Sequence, residues 1–432
     1  MNSKRTRRPV AGWLGGLAAL ALAGGVAQAE VAVGTMLDAS NLDQLKDQTF
    51  EGKKIGDMLV GQQEKMIREM GWRMKLAKTQ PLPYAPGIKE LTEKYKGQAT
   101  LNSEGILENY TTGVPFPDLD WQNDDKAGHK LALNILRVGW LGDAIDLAPM
   151  FFLVINGKEG KGLEREQGWR YKRYIMSGRL TEPYVEDKEI TKYEALVNQF
   201  PQDTKGLGLL TVNYTDGRLP DVYVYVKAFR RVRRLASSVW ADPVQSTDFL
   251  FDETFGLNLD PTWYESFNIK AKTWGFGTAH GEAPPTNENG SNLKEKYPMM
   301  ILGEAPYWNF IDTFEPREVY HVVAKPKNDH LVSYRDMFVE ADKYNPYMYW
   351  QDMYDRKGEH WRVLYVGYSE FGEEFWGNVP AGGNAPGVSG VAIIDVQRLH
   401  ATVFFRSSGF NINPKGAQAV DYTPEAMPRM LD

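Results

Sequence analysis

The 432-residue sequence predicts an α+β, β-rich fold: a large curved antiparallel sheet, a half-barrel or open barrel, with N-terminal helices packed on it. Two observations predict it. Apolar residues in 30–200 recur mainly at helical spacing, whereas from about residue 205 the period changes to two. The later apolar runs are separated by short turn signals, too short for the helical crossovers that parallel strands need.

The first 29 residues read as an export signal. Lys4, Arg5, Arg7 and Arg8 precede a Leu/Ala/Gly-rich stretch ending in Ala27-Gln28-Ala29, the small-x-small pattern of a signal-peptidase site. General secretion is favoured over twin-arginine export, because Pro9-Val10-Ala11 fit poorly after Arg7-Arg8. The expected compartment is the periplasm, with peripheral contact to the outer membrane as an option. No later stretch approaches the roughly 20 apolar residues of a membrane helix.

Residues 30–200 are expected to be a mainly helical region that closes the sheet. Ile55, Met58, Leu59, Met66, Met70 and Met74 fall at roughly helical spacing. Pro81, Pro83 and Pro86 then break the chain. A second helix is expected from near Asp124, with Leu131, Ile135 and Val138 on one face and Pro149 as its stop.

Residues 201–432 are expected to form the sheet, in one integrated domain with what precedes them. Leu207–Tyr214 and Asp221–Val226 read as a hairpin about the turn Thr215-Asp216-Gly217-Arg218. Val222, Val224 and Val226 share one face, Tyr223 and Tyr225 the other. Neither face is polar, so both are covered or one meets an apolar cavity. Further strands are expected at Thr247–Phe251, Phe267–Trp274, Arg317–Lys325, Leu331–Ala341, Tyr347–Tyr354, His360–Tyr368, Gly390–Gln397 and Ala401–Arg406. Thr278–Lys296 and Gly377–Gly390 read as surface loops.

The chemistry is mostly a set of exclusions. With no cysteine, disulfides, thiolate metal sites and thiol nucleophiles are ruled out. The six histidines form no HxH or HExxH pair, and no P-loop, nucleophile elbow or dinucleotide fingerprint is present. No metal, no cofactor and no catalytic residue is therefore assigned. A net charge of −6 argues against nucleic acid. Asp252-Glu253 and Glu373-Glu374 read as surface charge, since neighbours on a strand point to opposite faces. Four guanidinium groups crowd Arg230-Arg231-Val232-Arg233-Arg234, and the planar arginine fork suits phosphate or carboxylate. Arg230, Arg231, Arg233 and Arg234 are the candidate ligand or partner contacts. Tyr223, Tyr225, Trp263 and Trp274 join them as amphipathic rings.

A set of marks resembles a bacterial exported family of unknown function labelled outer-membrane-lipoprotein-sorting-like. The marks are Gly113-Val114-Pro115-Phe116-Pro117, Ala127-Gly128-His129-Lys130, Tyr223-Val224-Tyr225 with the arginine block, Thr247-Asp248, Asp252-Glu253, Arg317-Glu318-Val319-Tyr320, Tyr354-Asp355-Arg356-Lys357-Gly358 and Trp361-Arg362. The resemblance implies a fold similar to LolA and LolB, the periplasmic lipoprotein carrier and receptor, with a cavity for acyl chains. The chain departs from those carriers in its greater length and in having no cysteine for a lipid anchor. The expected function is binding or transfer of a lipid or other hydrophobic molecule. The alternatives are an envelope hydrolase acting on carbohydrate or ester, and a scaffold docking on an outer-membrane or efflux partner.

Overall fold

The computed structural model describes residues 30–430 apart from 138–141, 237–239, 241, 283, 328–333, 373–384 and 406–409. The export signal, Glu373-Glu374 and much of the second expected loop lie outside the described residues. Strands take up 40% of the described residues and helices 16%.

Among the described residues sixteen strands form one sheet. In chain order they are β1 (Met36–Leu37), β2 (Met74–Leu76), β3 (Ala144–Asn156), β4 (Gly162–Ile175), β5 (Ile190–Phe200), β6 (Leu207–Tyr214), β7 (Asp221–Val226), β8 (Arg231–Arg234), β9 (Tyr264–Gly277), β10 (Thr313–Pro326), β11 (Tyr334–Glu340), β12 (Met348–Tyr354), β13 (His360–Phe371), β14 (Ala385–Asp395), β15 (His400–Phe405) and β16 (Phe410–Ile412). The spatial order is β1-β2-β10-β11-β12-β13-β14-β15-β3-β4-β5-β6-β7-β8, with β9 on the other side of β10 and β16 beside β3. Every pairing is antiparallel except β2 with β10. Among the described residues the sheet is open and closes into no barrel.

The β6–β7 hairpin has the expected bounds, and Gly217 supplies a left-handed residue in its turn (φ 73°). Both faces of β7 are covered, as its pattern requires. Val222 joins the main core, while Tyr225 packs with Tyr422, Met427 and Met430 of the C-terminal segment.

The expectation of a mainly helical chain through residue 200 is corrected. From Ala144 onward three long strands occupy the middle of the sheet. The three longest helices among the described residues are α1 (Gln63–Met70), α2 (Ile88–Tyr95) and α3 (Ala127–Arg137). Helix α1 is shorter than its methionine pattern suggested, because Gly71 adopts the left-handed C-terminal conformation and sends Met74 into β2. Pro149 stops no helix; it sits in β3 at a register shift between Leu147 and Met150, where a proline without an N–H is tolerated. Helix α3 packs on β9 so closely that a Cβ on Gly128 would lie 2.1 Å from the Phe267 carbonyl oxygen.

Thr247–Phe251 is not a strand either. Residues 242–263 run from edge strand β8 across the inner face of the sheet to start β9 at the far edge, mostly in tight turns. This crossing segment forms the wall of the site described next.

Candidate functional site

Beneath the crossing segment lies an apolar cleft. Its floor is the inner face of β3 to β6: Met150 and Phe152 on β3, Leu196 on β5 and Leu209 on β6, with Phe404 from β15. Its roof is Val244, Phe249 and Phe251 of the crossing segment. The register explains the floor. Leu209 stands opposite Leu196, and Thr211 opposite Glu194, so one inward row runs from leucines to polar groups within two residues. Phe152 is the centre of the aromatic packing. It stacks on Phe249 (centroids 6.2 Å, planes 10° apart) and meets Phe404 at 5.5 Å and Trp169 at 6.1 Å. The cavity volume is about 50 Å³, room for only a few water-sized groups. A longer guest therefore needs the wall to move.

The polar end of the cleft is built by Tyr171, Glu194, Thr211 and Asn258. The Tyr171 hydroxyl donates to Glu194 Oε1 at 2.7 Å, and Lys192 Nζ pairs with Glu194 Oε2 at 2.8 Å. Lys192 also donates to Asn258 Oδ1 at 2.6 Å. Burial pushes the Lys192 ammonium down from its ordinary pKa. Burial works the opposite way on Glu194, but Lys192, Tyr171 and Arg173 together hold that carboxylate below its ordinary value.

Beyond Asn258 a second hollow of about 30 Å³ continues along the same strands, lined among others by Arg137, Lys192, Asn213, Arg218 and Asp260. Asn258 lines both spaces. None of these polar residues was singled out from sequence. Lys192 and Glu194 sit two apart on β5, so they face inward together, and in sequence such a pair reads as a solvated surface.

The wall is held by charge. Asp252, read from sequence as surface charge, is 1% exposed; it takes Arg335 Nη2 at 2.7 Å and the Tyr264 hydroxyl at 2.5 Å. Glu253 is also buried and pairs with Arg362. The surface reading of Asp252-Glu253 is corrected: the residues are not on a strand, and both turn into the core to anchor the wall.

A third clamp is titratable. His400 Nδ1 lies 2.8 Å from both oxygens of Asp248, and Nε2 lies 3.3 Å from Glu164 Oε2. The bond to Asp248 raises the His400 pKa, against the effect of burial. A raised folded-state value means this contribution is fully present below the unfolded pKa of about 6.5 and lost as pH rises through the folded value. The stability advantage of wild type over His400→Gln is therefore expected to be larger at pH 6 than at pH 9, measured by urea titration. An equal advantage at both pH values would rule the clamp out.

The residues chosen from sequence lie apart from the cleft. Arg230 sits in the β7–β8 turn, and Arg231, Arg233 and Arg234 are exposed on β8, an edge strand. Arg234 pairs with Asp221. Charge on an edge strand discourages pairing with another chain, which gives the block a structural reason. Tyr223 and Tyr225 point to the outer face against the C-terminal segment. Trp263 donates Nε1 to the Gly217 carbonyl at 2.7 Å, and exposed Trp274 on β9 carries Lys53 Nζ 3.9 Å above its ring.

Residues 36–428 match the family model described as protein of unknown function, DUF1329. The chain belongs to the DUF1329 family. The expected resemblance to an exported family of unknown function holds. The DUF1329 chain is similar to a DUF1329 family protein from Desulfovibrio piger (15% identity, TM-score 0.45, 70% of this chain and 98% of that one). It is also similar to a provisionally assigned outer membrane lipoprotein-sorting protein domain from Vibrio parahaemolyticus (16%, 0.44, 70% and 99%). A LolA superfamily protein from Nitrosomonas europaea is a more distant match (10%, 0.37, 68% and 97%). No curated protein matches the chain at a significant level.

Proposed function

We propose that this chain is a periplasmic protein that binds or transfers a lipid or other hydrophobic molecule. The observation that carries the reading is the apolar cleft between β3–β6 and the crossing segment. Each methylene moved from water into such a space contributes about 0.8 kcal/mol, with no catalytic group required. The polar end supplies the few groups that fix a ligand's orientation. The described residues contain no helix long and apolar enough to cross a membrane.

The hydrolase alternative is less well supported. Glycoside hydrolysis needs two carboxylates roughly 5 to 10 Å apart across the cleft. Among the described lining residues Glu194 is the single carboxylate, and it is committed to Lys192 and Tyr171. The scaffold alternative rests on the arginine block, whose edge position already has a structural account.

The test uses N-phenylnaphthylamine, a neutral apolar fluorophore. Leu209 is 6% exposed and lines the floor, so Leu209→Trp fills the cleft. Overpacking is expected to cost about 1–3 kcal/mol of stability. Probe affinity is expected to fall at least about tenfold, a change of about 1.4 kcal/mol in binding. Unchanged probe binding in a folded variant would show that the cleft is not the site. Lipid extraction of the exported protein followed by mass spectrometry then identifies what it carries.

A further inference from the structure

We propose that the ligand is a single-chain amphiphile with an anionic head, a long-chain carboxylate, lying with its tail in the apolar cleft and its head in the hollow beyond Asn258. This inference rests on the hydrophobic-ligand reading above and adds the head-group chemistry.

The two spaces are consecutive along the same strands. On β5 the inward row is Leu196, Glu194, Lys192; on β6 it is Leu209, Thr211, Asn213. The leucines floor the cleft, and Lys192 and Asn213 line the hollow. Four residues of strand separate Leu196 from Lys192, about 13 Å, the span of a short run of methylenes. Asn258 stands at the junction, its Oδ1 accepting from Lys192 and its Nδ2 donating to the Phe251 carbonyl oxygen at 3.2 Å.

The charge around the hollow does not balance. Arg137, Lys192 and Arg218 line it, and Arg173 stands opposite Glu194 in the β4–β5 register. Against these four cations stand three carboxylates: Glu194, Asp260 and, outside the hollow, Asp216, which pairs with Arg218 at 3.3 Å. Asp260 already accepts from the Thr262 backbone N–H at 3.0 Å and its hydroxyl at 2.7 Å. The cations retain donor capacity: among the described residues Arg137 Nη1 and Arg173 Nε are buried without a hydrogen-bond partner. A buried guanidinium N–H without an acceptor is costly, and an anion supplies the acceptor. Arg218 lines the hollow about half exposed, stacked 3.6 Å over the Tyr214 ring; its Nη1 is 3.3 Å from the equally exposed Asp216, a solvated pair that an entering anion can compete with. The two spaces, about 50 and 30 Å³, hold only the head and the first few methylenes as they stand; the rest of one tail enters by displacing the wall, and two tails would need a larger displacement.

The experiment measures binding of oleate, oleyl alcohol and phosphatidylglycerol vesicles to the mature chain, by displacement of the same fluorophore. Oleate and oleyl alcohol share a tail, so their ratio isolates the head. Oleate is expected to bind at least about tenfold more tightly than the alcohol. Arg137→Gln and Arg218→Gln are expected to narrow that ratio several-fold. Arg218 is exposed enough that its variant keeps the test valid if Arg137→Gln fails to fold. A ratio near one in the wild type overturns the anionic head and leaves the hydrophobic reading standing. Preference for phosphatidylglycerol over oleate overturns the single-chain carboxylate. Binding of none of the three overturns both readings.

Discussion

Asp252→Ala is expected to cost about 3–5 kcal/mol of folding stability, because it leaves the Arg335 guanidinium buried and unpaired. Asp252 and Arg335 are each 1% exposed. The carboxylate gathers four donors: Arg335 Nη2, the Tyr264 hydroxyl, and the backbone N–H groups of Asn258 (3.3 Å) and Leu259 (2.7 Å). Burial and the adjacent Asp252 charge raise the Tyr264 pKa well above its ordinary value, against the opposing effect of Arg335. Removing the carboxylate thus orphans one charge and two neutral donors together, while the Asn258 N–H keeps the backbone carbonyl of residue 252 at 3.1 Å. The consequence reaches the cleft, because the Asn258 and Leu259 amides shape the turn that sets Asn258 between its two spaces. Urea unfolding at pH 7 measures the loss as a shift in midpoint at unchanged slope. The double variant Asp252→Ala/Arg335→Met should recover most of it, since an apolar replacement of the whole pair avoids the orphaned charge. A single-variant loss below about 1 kcal/mol, the range of a solvated surface pair, would show that the wall is not anchored here.

The same segment shows what the sequence could and could not convey. The β6–β7 hairpin was legible to the residue because it alternates cleanly and turns at a glycine that adopts φ 73°. From β9 onward most strands were legible for the same reason. Strands β3 to β5 were not, although they sit at the middle of the sheet. Buried polar groups hide their period. Arg173 on β4 and Lys192 and Glu194 on β5 all take positions that a simple strand would give to apolar residues. The place where local pattern fails is the place where the candidate site lies, as expected when function displaces packing. The arginine block drew attention for the opposite reason. Its charge is conspicuous in sequence because it is exposed, and it lies on an edge strand away from the cleft.

Phe152→Ala separates a ligand cleft from a mere packing fault. Phe152 is 3% exposed and touches the rings of Trp169, Phe249 and Phe404. Deleting its ring is expected to cost about 3–5 kcal/mol, the usual range for a buried phenylalanine whose surroundings collapse only partly. It also enlarges a space of about 50 Å³ and loosens the roof by removing the stacking partner of Phe249. If the cleft receives apolar guests, that lost stability is recoverable. A guest that binds only the folded state stabilises it by RT ln(1 + [L]/Kd), about 2.7 kcal/mol at a concentration one hundred times Kd. Phe152→Ala should therefore bind N-phenylnaphthylamine more tightly than wild type, and its thermal midpoint should rise more steeply with probe concentration. The space vacated lies on the path of the guest, so filling it replaces contacts that the wild-type ring made. A variant that is destabilised as expected but gains nothing from the probe would mean that the cavity opens on no entry route. The apolar cleft would then be a tight core, and the hydrophobic-ligand reading would lose the observation that carries it.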